Sequence, residues 1–142
     1  MSLHKLFYGF RPDKKGLSKV LGELEAEVME VVWQKGSASV RDVYDVLRSR
    51  RQIAYTTVMT IMGRLADKQL LAKEKQGLAY VYTPIYSKSE FTRSLVQEVL
   101  DGLLEDYSDL AFAHFIGRLK EDDEAKLAEL EKLLQEKMQK GE

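Results

Sequence analysis

Four apolar residues in the stretch 55–65, Val58, Ile61, Met62 and Leu65, recur with i, i+3, i+4, i+7 spacing. That period is the stripe of an α-helix turned toward a core. At about 100° per residue, Thr56, Thr57, Thr60 and Arg64 fall on the other side. The same period predicts a helix over 21–34, with Leu24, Val28, Val31 and Val32 inward. Glu23, Glu25, Glu27 and Glu30 lie mostly outside that stripe, and Gly36 reads as its stop. Ser39 is placed as an N-cap with Asp42 three residues on, a capping-box spacing. A second helix follows to about Arg50, with Val40, Val43 and Leu47 inward, and the helix opening at Tyr55 runs to about Gln69.

From Leu70 the period changes from that of a helix to the alternation of strands. Residues 71–75 and 79–83 flank the turn signal Gln76-Gly77, which predicts a β-hairpin over about 71–83. Pro84 closes it. Three helices followed by a hairpin make a winged helix, and the short connection between the second and third helices is that of a helix-turn-helix.

Beyond residue 87 the pattern is helical again. One helix is expected through about Glu105, with Phe91, Leu95, Val96, Val99, Leu100, Leu103 and Leu104 covering a wide apolar face. A short apolar segment, 109–119, comes next, and then a last helix with Leu127, Leu130, Leu134 and Met138 in register. Three amphipathic helices in so short a stretch expose more apolar surface than they can bury among themselves. A second copy, a partner protein or the winged helix itself would have to cover it.

Charge sharpens this division. Residues 1–83 carry a net charge of +5 and residues 84–142 a net of −6, which the total of −1 conceals. A basic half suggests a polyanionic partner. The face formed by Thr56, Thr57, Thr60 and Arg64 has short hydroxyls, one guanidinium and no carboxylate, which suits a surface fitted to phosphates and base edges, the alternative being a polar helix surface that happens to lack acids. Lys73 and Lys75 share one face of their strand, and Tyr80 and Tyr82 point the same way as each other, a pattern suited either to phosphate contact or to cross-strand pairs on an exposed sheet. Residues 1–19 carry Lys5, Arg11, Lys14, Lys15 and Lys19 among aromatic side chains. Gly9, Pro12 and Gly16 make this stretch an irregular basic arm that either touches nucleic acid or packs on the body.

Enzymatic chemistry finds no support. There is no Cys, hence no disulfide, thiolate metal site or Cys nucleophile. The two histidines, His4 and His114, belong to no ligand or triad spacing, and His114 reads as a partly buried, hydrogen-bonded side chain. No catalytic group, cofactor or metal is expected. With no apolar run of the roughly 18 residues that span a bilayer, and no signal pattern, membrane insertion is not expected and the cytoplasm is the default location. A winged-helix module that binds protein, or a ligand-sensing winged-helix regulator, is the alternative to a DNA binder.

The ordered string of Leu21-Gly22-Glu23-Leu24-Glu25-Ala26-Glu27-Val28-Met29, Val31-Val32-Trp33, Tyr55-Thr56-Thr57-Val58-Met59-Thr60, Arg64-Leu65 and Tyr80-Val81-Tyr82-Thr83-Pro84 resembles the BlaI/MecI/CopY family, the bacterial penicillinase repressors. The resemblance covers residues from about 21 to 139. It implies a mainly α fold with a small β-hairpin wing. A basic arm over 1–19 would precede a winged helix-turn-helix over 20–84, and a three-helix dimerisation region would follow over 85–142. It implies a homodimer that binds double-stranded DNA at a palindromic operator and represses transcription by excluding polymerase. Carried over by position, Thr56, Thr57, Thr60 and Arg64 would face the major groove. Lys73, Lys75 and Tyr82 would contact DNA from the wing, with Arg48, Arg50 and Arg51 near the backbone. Phe91, Leu95, Val99, Leu103, Leu127, Leu130 and Leu134 would hold the dimer. In the β-lactamase-controlling members a membrane sensor-protease system releases the operator, through cleavage at an Asn-Phe bond. His114-Phe115 stands at the similar place, so Phe is kept and Asn is not. The Cys-rich metal-binding tail of the copper-responsive members has no counterpart here.

Overall fold

A computed structural model of the chain describes residues 9–119 and 123–141. Among them a short 3-10 turn, Gly16–Lys19, precedes α1 (Glu23–Lys35), α2 (Val40–Leu47), α3 (Tyr55–Asp67), β1 (Leu71–Gln76), β2 (Ala79–Pro84), α4 (Lys88–Arg118) and α5 (Glu124–Lys140). The fold is mainly helical with a winged helix and a single antiparallel hairpin, as the periodicity predicts.

Local chemistry sets the ends of these elements. Ser39 and Asp42 form a reciprocal box at the start of α2. The Asp42 N–H donates to Ser39 Oγ at 3.1 Å, and the Ser39 N–H donates to Asp42 Oδ2 at 3.0 Å. Gly36 stops α1 at φ 81, a conformation that a residue with a Cβ rarely adopts. α2 ends at Leu47, short of the Arg50 that the pattern predicts. Its last turn gives way where the Ser49 hydroxyl donates to the Val46 carbonyl at 2.6 Å and the Arg50 and Arg51 N–H groups both turn back to Leu47. Gln76 pairs with Ala79, so the hairpin loop is two residues long, with Gly77 at φ 65.

Two compact units divide the chain, the first ending at Val99 and the second starting at Leu100. In the first, Val28, Met29, Val31 and Val32 of α1, Val43 and Leu47 of α2, and Val58, Ile61, Met62 and Leu65 of α3 form the core. The described part of the basic arm folds onto this core instead of extending from it. Leu17 and Val20 are buried and Phe10 packs beside them. The Arg11 guanidinium donates to the carbonyls of Ser18 and Leu21 at 3.1 and 2.7 Å. Lys19 Nζ donates to those of Pro12, at 2.7 Å, and Lys14.

The start of α4 belongs to this first unit. Phe91 is fully buried and its ring lies 5.9 Å from that of Trp33, whose indole N–H donates to the Tyr86 carbonyl at 2.9 Å. Leu95 is only 8% exposed, and Val99 packs against the same core. Phe91 and Leu95 are therefore buried within their own unit and do not form the dimer surface that the helical stripe suggests, while Val99 is half-buried. Their own unit uses them, with Phe91 packed against Trp33 of α1. The two helices expected, to about Glu105 and over 109–119, meet within α4 at a kink at Tyr107, whose φ −132 and ψ 38 are not helical.

In the second unit, the rest of α4 and α5 leave many apolar side chains uncovered. Leu103 is 44% exposed, Leu127 40% and Leu134 56%, while Leu130 is half-buried. His114 is exposed, not partly buried, as is its neighbour Phe115. The helical backbone turns both outward.

Candidate nucleic-acid interface

The outward face of α3 is built by what its inward face buries. With Val58, Ile61, Met62 and Leu65 in the core, Thr56, Met59, Thr60 and Arg64 stand exposed and Thr57 is half-buried at the flank. Thr60 donates its hydroxyl hydrogen to the Thr56 carbonyl at 2.9 Å. Its oxygen is thus left as an acceptor, with the methyl group beside it. Two residues that the periodicity argument passed over share this face, Met59 at 47% exposure and Asp67 in the last turn. Asp67 is the one carboxylate there, and its spacing of i, i+7 from Thr60 could have revealed it in the sequence.

Three of the four glutamates of α1 hold a cation from another element. Glu27 takes Arg51 at 2.7 Å, Glu25 takes Lys68 at 2.7 Å, and Glu30 takes Lys88 at 2.8 Å. These three carboxylates thus tie α1 to the α2–α3 connection, the end of α3 and the start of α4. Burial raises the Glu25 pKa, but this is outweighed by the Lys68 hydrogen bond, the Gly22 N–H at 3.0 Å, and the charges of Lys68 and Arg64. The carboxyl is held below its ordinary value. The Asp42 carboxyl is lowered as well, first by the Ser39 N–H.

The three arginines of the α2–α3 connection have different surroundings. Arg51 is the partner of Glu27, Arg48 lies 3.5 Å from Asp45, and Arg50 is exposed. On the hairpin, Lys73 stands opposite Tyr82 and Lys75 opposite Tyr80, so all four side chains share one face. Lys73 Nζ sits 4.2 Å from the Tyr80 ring centroid and 5.9 Å from that of Tyr82. Lys73, Lys75 and Tyr80 are exposed, whereas Tyr82 is 3% exposed and belongs to the core. Tyr82 is therefore not a surface residue of the wing. Its backbone bridges to Ala38 through N–H···O bonds of 2.8 and 2.9 Å, which draws the base of the hairpin over α1 and α2 and buries the ring. Among the described residues no cluster of His, Cys, Asp or Glu could hold a metal ion, and no helix is long and apolar enough to cross a membrane.

A sequence profile described as penicillinase repressor matches residues 21–136. The chain belongs to the penicillinase repressor family. A relative in Mycobacterium tuberculosis, the transcriptional regulator BlaI, is 36% identical over 117 residues, covering 78% of this chain and 85% of its own. The penicillinase repressor of Bacillus licheniformis is 31% identical over 71 residues, covering 50% of this chain and 56% of its own. Among solved structures, the monomeric form of Bacillus licheniformis BlaI in complex with the blaP half-operator aligns at a TM-score of 0.44 and 31% identity, over 49% of this chain and 85% of that one. The family is one of transcriptional repressors and not of enzymes.

Proposed function

We propose that the chain is a homodimeric transcriptional repressor of the bacterial cytoplasm, with α3 of each subunit in the major groove of a palindromic operator. The observation that carries this reading is the outward face of α3, where Thr56, Thr57, Thr60 and Arg64 offer hydroxyls, methyls and a guanidinium. Hydroxyls and methyls of this size fit adenine and thymine edges, and a guanidinium fits guanine or phosphate. Lys73 and Lys75 would meet the phosphate backbone from the wing, with Arg48 and Arg50 near the α2–α3 connection. Arg51 would contribute only by leaving Glu27. The exposed Leu103, Leu127 and Leu134, with Leu130, support a dimer through the second unit. An apolar surface of that kind is costly to leave in water. A dimer would place two copies of α3 about one helical turn apart, roughly 10 base pairs, or a multiple of it.

Release by a membrane sensor-protease system acting at His114–Phe115 belongs to the same reading. Both residues are exposed, but they lie in helical backbone, so a protease would need α4 to open locally before cutting.

The test is selection of duplexes from a random-sequence pool by the full-length protein, followed by titration over a range of salt and sedimentation of the free protein. The expected results are an inverted repeat, affinity that falls steeply with salt and the mass of a dimer. Arg64→Ala should cost about 1–3 kcal/mol of binding to the selected duplex if the guanidinium reads a base. Failure to enrich any duplex at low salt would overturn the reading in favour of a protein-binding winged helix.

A further inference from the structure

A second cationic group borders α3, and nothing in the site described so far uses it as a unit. Arg41, Tyr44, Asp45 and Arg48 occupy one face of α2 at i, i+3, i+4 and i+7. The guanidinium carbons of Arg41 and Arg48 lie 5.8 and 5.6 Å from the centroid of the same Tyr44 ring. Both guanidiniums also approach the same oxygen, Asp45 Oδ1, at 3.4 and 3.5 Å. Two cations sharing one carboxylate leave the group positively charged. The Tyr44 ring in turn meets Tyr55, the first residue of α3, edge-on at 5.5 Å between centroids. Tyr55 stands next to Thr56 in sequence and one turn before Met59. The arginine pair is thus linked through the Tyr44 ring to the first residue of α3.

The partners that the two arginines have are weak ones. The ion pairs to Asp45 are long and exposed, a setting in which a carboxylate holds a guanidinium loosely. The aromatic ring restrains both guanidiniums without consuming a hydrogen-bond donor. A guanidinium so placed keeps its planar fork for a phosphate, which it can bind through two parallel N–H···O bonds.

We propose that Arg41 and Arg48 form a clamp for the DNA backbone phosphate beside the first turn of α3. Tyr44 is the positioning residue that holds both guanidiniums, and Asp45 is the counter-charge that the phosphate displaces. This inference rests on the DNA-binding reading and adds to it a site, a ligand group and the residues that orient the arginines.

The test uses the full-length protein with two duplexes of equal length, the selected one and a scrambled one, titrated at several salt concentrations. Each of Arg41→Ala and Arg48→Ala should reduce the slope of log affinity against log salt by about 0.9, and the double variant by about twice that. The loss should be the same factor on both duplexes, because phosphate contacts carry no sequence information. Tyr44→Ala, which removes the ring that holds both guanidiniums, should lower affinity for both duplexes by the same factor, and Tyr44→Phe, which keeps the ring, should restore it. A Tyr44→Ala variant with unchanged affinity would refute the positioning role. Asp45→Asn should tighten both duplexes. If the wild type binds with a steep salt slope and the double arginine variant keeps that slope and affinity, the clamp is refuted and the DNA reading stands. A loss confined to the selected duplex would refute the phosphate role in favour of base reading. No salt-dependent binding by the wild type would refute the clamp and the DNA reading together.

Discussion

Helices α1 and α3 are alike inside and opposite outside. Each has thirteen residues and each contributes a buried apolar stripe to the same core. On the outer side, α1 carries glutamates that take cations from the α2–α3 connection, the end of α3 and the start of α4. The outer side of α3 carries threonines, Met59, Gly63, Arg64 and, in its last turn, Asp67, and among the described residues no side chain from another element covers Thr56, Met59 or Thr60. The inward faces identify both as core helices and say nothing about function. On the reading proposed here, the outward faces separate a helix that holds the domain together from one that is presented to a partner. Substitutions on the outside of α1 should therefore act on stability, and those on the outside of α3 on binding.

The largest effect should be the one that the two helices share. Met29 is 1% exposed and Leu65 is fully buried. Met29→Ala and Leu65→Ala should each destabilise the domain by about 2–5 kcal/mol, since each removes buried methylenes and leaves a cavity. Urea unfolding measures it. If one helix tolerated the change and the other did not, the claim that their inward faces are equivalent would fail.

Glu25 tests the outer side of α1. Its carboxylate accepts from Lys68 Nζ at 2.7 Å and from the Gly22 N–H at 3.0 Å. Glu25→Ala should cost about 1–2 kcal/mol at neutral pH without changing affinity for a duplex once the fraction folded is accounted for. Because the carboxyl is held below its ordinary value in the folded state, the stability it contributes is present above the ordinary carboxylate range, about pH 4.3. That contribution is lost as pH falls through the depressed value. The gap between wild type and variant should thus close on acidification. Thermal unfolding at neutral pH and near pH 3 would show it, and a gap that widened in acid would mean that Glu25 does not act as an ionised cross-link.

The inward stripes, the Ser39–Asp42 box, the Gly36 stop and the hairpin around Gly77 were legible in the sequence because each is a local signal with a fixed spacing. Tyr82, Phe91 and Leu95 were not, since their burial depends on contacts far along the chain. Ala38 bridges to Tyr82, and Trp33 packs on Phe91. Alternation places Tyr80 and Tyr82 on one face but cannot say how far along the hairpin the core extends. The same limit hid Arg51, whose cationic type suggested a phosphate contact while its partner Glu27 lies in another helix. The face of α3 was legible because its function, on the reading proposed here, requires the absence of internal partners. A surface that must meet another molecule keeps the chemistry that its sequence displays.

Gly63 gives the smallest effect and the finest division between the two helices. It lies inside α3, one turn after Thr60, and a Cβ added there would meet nothing within 4 Å. In an α-helix interior, glycine is about 1 kcal/mol less favourable than alanine. Gly63→Ala should therefore stabilise the free protein by about that amount, which for a domain of this size is roughly 4–8 °C in the melting temperature. If α3 lies in the groove, the added methyl would enter the space between helix and duplex, and affinity for the selected duplex should fall although the protein has become more stable. No position on the outside of α1 should behave in this way, because a change there that strengthens the fold has no partner to clash with. A variant that melts higher and binds as before would place Gly63 clear of the duplex and leave the threonines of α3 to make contact without close approach of the backbone.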